Sequence, residues 1–270
     1  MKNLILTTAC GFSPNQIEFF TKSLRKYYSD DVYFLINKSD IKIQKLLKDY
    51  DCNFEIIKEH KFDVQVKRYG IYLELIKDKK YNNILVCDSR DIYFQFNPFS
   101  FNYKGSINFF LESKKIKDCP FNSNWLLNTY GKETLQKLED KTISCSGTTL
   151  GNYESIKSYL SLMVSHSFKY KFKKRLKYFL SFRRDKAGRG ADQAYANYIA
   201  HNKLVKNTYL YSNEEGPIAT VYYLPKIIFN DELQLINDLN KPYLVVHQYD
   251  KRWDEFKKTV EKIKQNLKIK

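Results

Sequence analysis

The chain reads as an α/β protein, with a mostly parallel central sheet flanked by helices. Three observations predict it. Through the first third of the sequence, short β-prone runs alternate with segments whose apolar residues recur at helical spacing. The fourth such run, Ile84–Cys87, is wholly apolar, as a strand covered on both faces must be. No internal repeat and no Pro/Gly-rich linker interrupts the 270 residues, so one domain with an elaborated C-terminal half is expected.

The elements follow in order. Leu4–Thr8 opens as a strand. Ser13-Pro14-Asn15 has the form of an N-cap with proline at the first helical position, and Ile17, Phe20, Leu24 and Tyr27 continue at helical spacing. Val32–Ile36 is a second strand, Ile41–Tyr50 a second helix and Phe54–Ile57 a third strand. Val66, Tyr69, Leu73 and Ile76 mark the inner face of a third helix, and Ile84–Cys87 completes a β-α-β-α-β-α-β series. Beyond it, Ile107–Leu111 and Thr142–Leu150 are expected as strands, Glu154–Val164 and Asp192–His201 as helices. Val221–Leu224, Ile227–Phe229 and Tyr243–His247 read as strands, and Trp253–Leu267 as a closing amphipathic helix.

Composition narrows the classes. Hydrophobic residues make up 43% and charged residues 28%, too apolar for a disordered chain. No apolar run reaches the roughly 18–20 residues of a membrane-spanning helix. The balance of 46 Lys+Arg against 30 Asp+Glu gives +16 and favours anionic partners. Five cysteines without CxxC spacing point to reduced, core-packing thiols in a cytosolic compartment. The apolar core of Met1–Cys10 is too short for a signal peptide and fits a first strand better.

In open parallel sheets, ligands bind beyond the carboxyl ends of the strands, near the point where strand order reverses. The residues expected there are Thr7-Thr8-Ala9, Asn37 and, above all, Asp88-Ser89-Arg90-Asp91. Two carboxylates at the end of a buried strand can hold a hard divalent cation that keeps positions open for substrate phosphates. They can equally be surface acids flanking a turn, with Asp91 paired to Arg90.

The segment Asn83-Ile84-Leu85-Val86-Cys87-Asp88-Ser89-Arg90-Asp91-Ile92-Tyr93-Phe94-Gln95-Phe96-Asn97-Pro98-Phe99 resembles the strand and acidic motif of GT-A-fold, nucleotide-sugar-dependent glycosyltransferases. The two acids here are separated by two residues where that family's usual motif has one. The resemblance implies a GT-A-like, Rossmann-like fold over residues 1–270, with a nucleotide-binding half at 1–100, an acceptor-side half at 101–252 and a C-terminal helix at 253–270. It implies a metal-dependent hexosyltransferase moving a sugar from a nucleotide donor, UDP favoured, to a glycan or lipid-linked acceptor in bacterial surface polysaccharide synthesis. Mn²⁺ or Mg²⁺ would be held by Asp88, Asp91 and His247. Thr7, Thr8, Arg68, Asp88, Ser89, Lys251 and Arg252 would bind the donor, and Ser146, Gly147 and Thr148 would face sugar and acceptor. Asp192-Gln193 resembles the Asp-Gln pair of retaining members, with Asp192 at the acceptor or the developing oxocarbenium ion and Gln193 at the anomeric carbon. Read by themselves, Asp192 is equally a helix cap, Ser146-Gly147-Thr148 a strand with a bulge, and Lys251 and Arg252 exposed charges.

Residues 169–189 carry ten basic side chains interleaved with aromatics and a single acid, Asp185. This basic insertion, 166–190 at its widest, suits an anionic membrane surface, a nucleic acid or simply solvent. With no nucleic-acid-binding signature in the chain, the membrane reading is preferred, giving a cytoplasmic protein peripheral to the inner face of the membrane. The rival to the enzyme reading is a non-enzymatic membrane- or nucleic-acid-binding α/β protein. A second rival is a nucleotidyl- or phosphotransferase using the same metal site.

Overall fold

The computed structural model describes residues 1–38, 40–58, 61–179 and 190–267, with side chains left out at 61–63 and 169–179. Strand β1 (Leu4–Thr8) leads through α1 (Pro14–Arg25) to β2 (Asp31–Asn37), then α2 (Ile41–Asp49), β3 (Asn53–Ile57), α3 (Lys61–Ile76) and β4 (Asn83–Cys87). There follow β5 (Ile92–Phe94), β6 (Ile107–Lys115), α4 (Pro120–Tyr130), α5 (Lys132–Leu138) and β7 (Thr142–Asn152). The last part comprises α6 (Tyr153–Phe179), α7 (Ala191–His201), β8 (Thr208–Tyr211), β9 (Ile218–Thr220), β10 (Ile228–Phe229), β11 (Leu235–Ile236) and β12 (Val245–His247). A 3₁₀ turn over Tyr249–Arg252 then enters α8 (Trp253–Asn266).

The expected α/β architecture is present. Among the described residues the main sheet runs β3-β2-β1-β4-β7-β6-β8. Every pairing in it is parallel except those of β7, which lies antiparallel to both β4 and β6. Alternate side chains go to opposite layers, as the period of a strand demands. Leu4, Leu6, Ile84, Val86 and Phe109 pack with Tyr69, Tyr72, Tyr159 and Tyr195 of α3, α6 and α7. Ile5, Leu85, Cys87 and Phe110 pack with Ile17, Phe20 and Leu24 of α1 and Ile43 and Leu47 of α2. Each fully buried aliphatic or aromatic side chain contributes roughly 1.5–3 kcal/mol of transfer free energy. All five cysteines are buried and free.

A second, three-stranded sheet orders β5-β12-β9. It receives β5 four residues after the main sheet's β4, so the acidic segment is the hinge between two sheets. The chain visits β1, β2 and β3 outward and then returns to β4 on the far side of β1, which places the reversal of strand order at the carboxyl ends of β1 and β4.

Some expectations need correcting. Val221–Leu224 is no strand: Val221 N–H still meets the His247 carbonyl, but Leu224 N–H bonds back to Val221 O and the chain turns. The neighbouring Ile218–Thr220 supplies β9 instead. The helix expected at Glu154–Val164 continues as α6 to Phe179, through the first part of the basic stretch. The inner face of α3 is Val64, Arg68, Tyr69, Tyr72 and Ile76, with Val66 and Leu73 only half-buried, because a buried arginine takes a place that apolar periodicity cannot reveal. The side chains assigned to a membrane surface at 169–179, and all of 180–189, lie outside the described residues. Among those described, no helix is long and apolar enough to cross a membrane.

Gln95, just beyond β5, fastens the second sheet. Its buried carboxamide donates to Leu235 O and Tyr243 O at 3.1 and 2.7 Å and accepts from Leu235 N–H at 2.6 Å. Gln95→Ala would leave three buried backbone groups without these partners, and a loss of about 2–4 kcal/mol is expected. Urea unfolding checks this, and a loss under about 0.5 kcal/mol would show the segment satisfied by other means.

Candidate metal centre and adjoining cleft

Two sheets bring three side chains together. Asp88 follows directly on β4, the turn through Ser89 and Arg90 delivers Asp91, and β5 then pairs antiparallel with β12 so that His247 lies opposite Ile92. Gln248 N–H extends that ladder to Asp91 O at 2.8 Å. Register therefore aims His247 at the acidic turn, and a slip of one residue would send it to the opposite face. Its Nε2 lies 3.8 Å from Asp88 Oδ2 and 3.8 Å from Asp91 Oδ1. One potential ligand atom from each of the three residues falls within 4.8 Å of the others. Such spacings suit a cation bonded to each ligand at about 2.0–2.2 Å. His247 Nδ1 faces Cys145 Sγ at 3.7 Å, which leaves Nε2 for the centre.

Gly147 makes this gathering possible. A Cβ there would fall 2.5 Å from His247 Cε1 and 2.7 Å from both His247 Nε2 and Asp88 Oδ2. The missing side chain thus leaves open the space between two of the ligands. The strand carrying it is irregular, as a bulge at this glycine requires: β7 slips against β6 between Thr149 and Ser144. Helix α7 satisfies the donors left behind. Asn197 Oδ1 accepts from Ser144 N–H at 2.8 Å, and Gln193 accepts from Ser146 N–H at 3.0 Å while donating to Ser144 O at 2.6 Å.

Charge is arranged around Arg68. Its buried guanidinium donates to Asp88 Oδ1 at 2.7 Å and to the Tyr69 hydroxyl at 3.1 Å, and reaches Asp192 Oδ2 at 3.5 Å. Asp192 sits in the first turn of α7 behind Gly190, which occupies the cap position with φ +80. Gly190 is further required because a Cβ would fall 2.1 Å from the Trp125 ring. Burial would raise the Asp88 carboxyl, but Arg68 and His247 together hold it well below the usual carboxylate range. Burial dominates at Asp91 and Asp192 and pushes both up. At His247, burial opposes protonation, yet Cys145, Asp91 and Asp88 raise its pKa well above the ordinary value. Three carboxylates against one guanidinium leave two negative charges when His247 is neutral, the charge that a divalent cation balances.

Beside the centre opens a cleft of about 630 Å³, lined on one side by Asp88, Ser146, Asp192 and Gln193. At its mouth stand aromatic rings: Phe121, 68% exposed, lies 5.9 Å from Trp125, and Tyr222 lies 4.3 Å from Tyr223. Lys251 also lines it. The other expected site residues are placed differently. Arg252 is turned to Glu255 and the Leu224 carbonyl, away from the cleft. Thr7 and Thr148 are buried in the sheet, and Ser89 donates to Thr8 O at 2.7 Å. The Thr8 hydroxyl turns to Leu35 O at 3.3 Å. Gln193 reaches the cleft wall, but its amide is engaged by β7.

The four aromatic residues at the mouth escaped the sequence reading, and so did two polar ones. Glu112 on β6 lines the cleft and is only 6% exposed. Gln248 donates to it at 3.5 Å and to Cys145 Sγ at 3.6 Å, from a backbone held at φ 66, a left-handed conformation that costs a non-glycine residue on the order of 1 kcal/mol. Glu112 left only a faint trace in the sequence: it follows the short apolar run Phe109-Phe110-Leu111, as Asp88 follows Ile84–Cys87.

No protein-family model matches the chain, and no curated protein matches it. The assignment of function therefore rests on this geometry.

Burial pushes Glu112 up to about 7, against smaller opposing effects of His247, Gln248, Cys145 and Lys114; Tyr223 also faces it. Because the folded-state pKa lies above the ordinary 4.5, the protonated carboxyl favours the fold, and that stability is lost as pH rises from 4.5 through about 7. Glu112→Gln keeps an acceptor for Gln248 and cannot ionise. The variant is expected to gain on the order of 1–3 kcal/mol over the wild type at about pH 8 and to match it at about pH 4. Paired urea titrations measure this; a difference independent of pH would contradict the burial cost.

Proposed function

We propose that the protein is a metal-dependent glycosyltransferase of GT-A type, moving a sugar from a nucleotide-sugar donor to a saccharide acceptor, free or lipid-linked. The observation that carries this reading is the Asp88–Asp91–His247 cluster at the reversal of strand order, opening on a cleft with an aromatic mouth. The residues fit a Mn²⁺ or Mg²⁺ ion in ligand type, in spacing and in the net charge left by Arg68. Such a cation, when bound, acts as a Lewis acid toward the negative charge that grows on a departing diphosphate.

The chain's own residues do the rest. Arg68 keeps Asp88 ionised and ready to ligate, and orients Asp192 toward the cleft. Lys251 adds a positive charge at the cleft, where it attracts the diphosphate. Phe121, Trp125, Tyr222 and Tyr223 offer flat apolar faces with polar edges nearby, the surface on which a pyranose ring stacks. Ser146 lines the cleft with a small side chain, where a sugar can approach closely.

Thermal unfolding with UDP-glucose, UDP-N-acetylglucosamine, GDP-mannose and a CMP-sugar, each with Mn²⁺ or EDTA, tests this. One nucleotide class should stabilise the wild type only with metal, by about 2.7 kcal/mol at a hundredfold excess over Kd, and Asp91→Ala should abolish the effect. Equal stabilisation in EDTA, or in Asp91→Ala, would contradict the metal-centred donor site. Product mass separates the rival transferase: sugar transfer releases the nucleoside diphosphate, whereas nucleotidyl transfer leaves the nucleoside monophosphate on the acceptor.

A further inference from the structure

Three carboxyl groups line the cleft, Asp88, Asp192 and Glu112. Two are tied to Arg68, Asp88 at 2.7 Å and Asp192 at 3.5 Å, and Asp88 also belongs to the metal cluster. Glu112 differs from both. Its Oε1 is approached by the Gln248 amide at 3.5 Å, and no ion pair to it is found among the described residues. A buried carboxyl without a cation is costly to retain, and in a cleft such a group is a candidate for proton transfer. Its neighbour adds a second sign of a missing ligand: Gln248 Oε1 is buried and has no hydrogen-bond partner. Two hydrogen-bond acceptors, the Glu112 carboxylate and Gln248 Oε1, thus stand together in the wall of the cleft, where a hydroxyl group can donate to them.

We infer that Glu112 is the catalytic base, taking the proton from the acceptor hydroxyl as that oxygen attacks the anomeric carbon. This rests on the glycosyltransferase reading above. The acceptor oxygen forms its bond to the anomeric carbon while the bond from that carbon to the phosphate oxygen breaks. The nucleoside diphosphate leaves with the electron pair, and the proton passes to the Glu112 carboxylate. A single displacement of this kind inverts the anomeric carbon, so an α-linked donor yields a β product. This differs from the retention that Asp192-Gln193 suggests by resemblance. The structure gives a reason for the difference, since Gln193 is engaged by Ser144 and Ser146 of β7 and Asp192 by Arg68.

A competing role is positional: through Gln248 and Cys145, Glu112 could orient His247. Kinetics of the full chain separate the two. UDP-glucose, UDP-galactose, UDP-N-acetylglucosamine and GDP-mannose serve as probe donors with Mn²⁺, water and free monosaccharides as acceptors. Nucleoside diphosphate release gives the rate, and proton NMR gives the configuration of the fresh product. Glu112→Gln should lower kcat by about 10²–10⁴-fold, with Mn²⁺ affinity and the metal-dependent stabilisation by nucleotide unchanged. Urea unfolding confirms that the variant is folded. Retained configuration, or turnover of Glu112→Gln within about threefold of wild type, would overturn the inference. So would weakened Mn²⁺ binding in that variant, which would make Glu112 a positioning residue. If wild type binds Mn²⁺ but turns over no donor, the glycosyltransferase reading itself falls, and this inference with it.

Discussion

The buried guanidinium of Arg68, set between Asp88 and Asp192, is the interaction on which the rest of the site depends. A charged arginine in the interior is tolerated only with partners at hydrogen-bonding distance, and removing one partner from such a cluster typically costs 3–5 kcal/mol. Arg68 therefore ties α3 to the end of β4 and to the first turn of α7, elements far apart in the sequence. It also sets the electrostatics. With its charge counted and His247 neutral, as ligation requires, the cluster keeps two negative charges, enough to attract one divalent cation and too few for two.

A second constraint is steric. Asp88 and His247 come from different sheets, and their side chains meet over Gly147 of β7, which has no side chain to keep them apart. Gly147 permits that approach only because β7 departs from regular pairing, and β7 departs only because Gln193 and Asn197 take up the backbone groups that β6 no longer reaches. The bulge, the helix that supports it and the cluster are thus one construction. Gln95 performs the matching task on the other side, holding the segment that delivers β12 in register with β5.

Much of this was legible in the sequence. The β1 to β4 series follows from periodicity, and β1 agrees with its expected limits residue for residue. The acidic turn was visible because two carboxylates interrupt a wholly apolar run. His247 and Arg68 came from the family resemblance, since a lone histidine after a β-prone run and an arginine on a helix carry no signal alone. What stayed hidden depends on long-range contacts. The three-residue β5 was too short to announce itself, and its pairing with β12 is a tertiary event. Glu112 was passed over because nothing local distinguishes a solvated carboxylate on a strand from one facing a cleft. Arg252 looked equivalent to Lys251, but the 3₁₀ turn rotates the two apart, leaving Lys251 on the cleft and Arg252 on Glu255.

The most direct test of the central claim is pulsed electron paramagnetic resonance of the protein loaded with Mn²⁺ and UDP. If Asp88, Asp91 and His247 hold the ion against a diphosphate, the spectrum will carry a ¹⁴N coupling from the imidazole and ³¹P couplings from the nucleotide. The nitrogen coupling will vanish in His247→Gln. A spectrum of fully hydrated Mn²⁺, with neither coupling, would contradict the account and leave the cluster a structural junction between the two sheets.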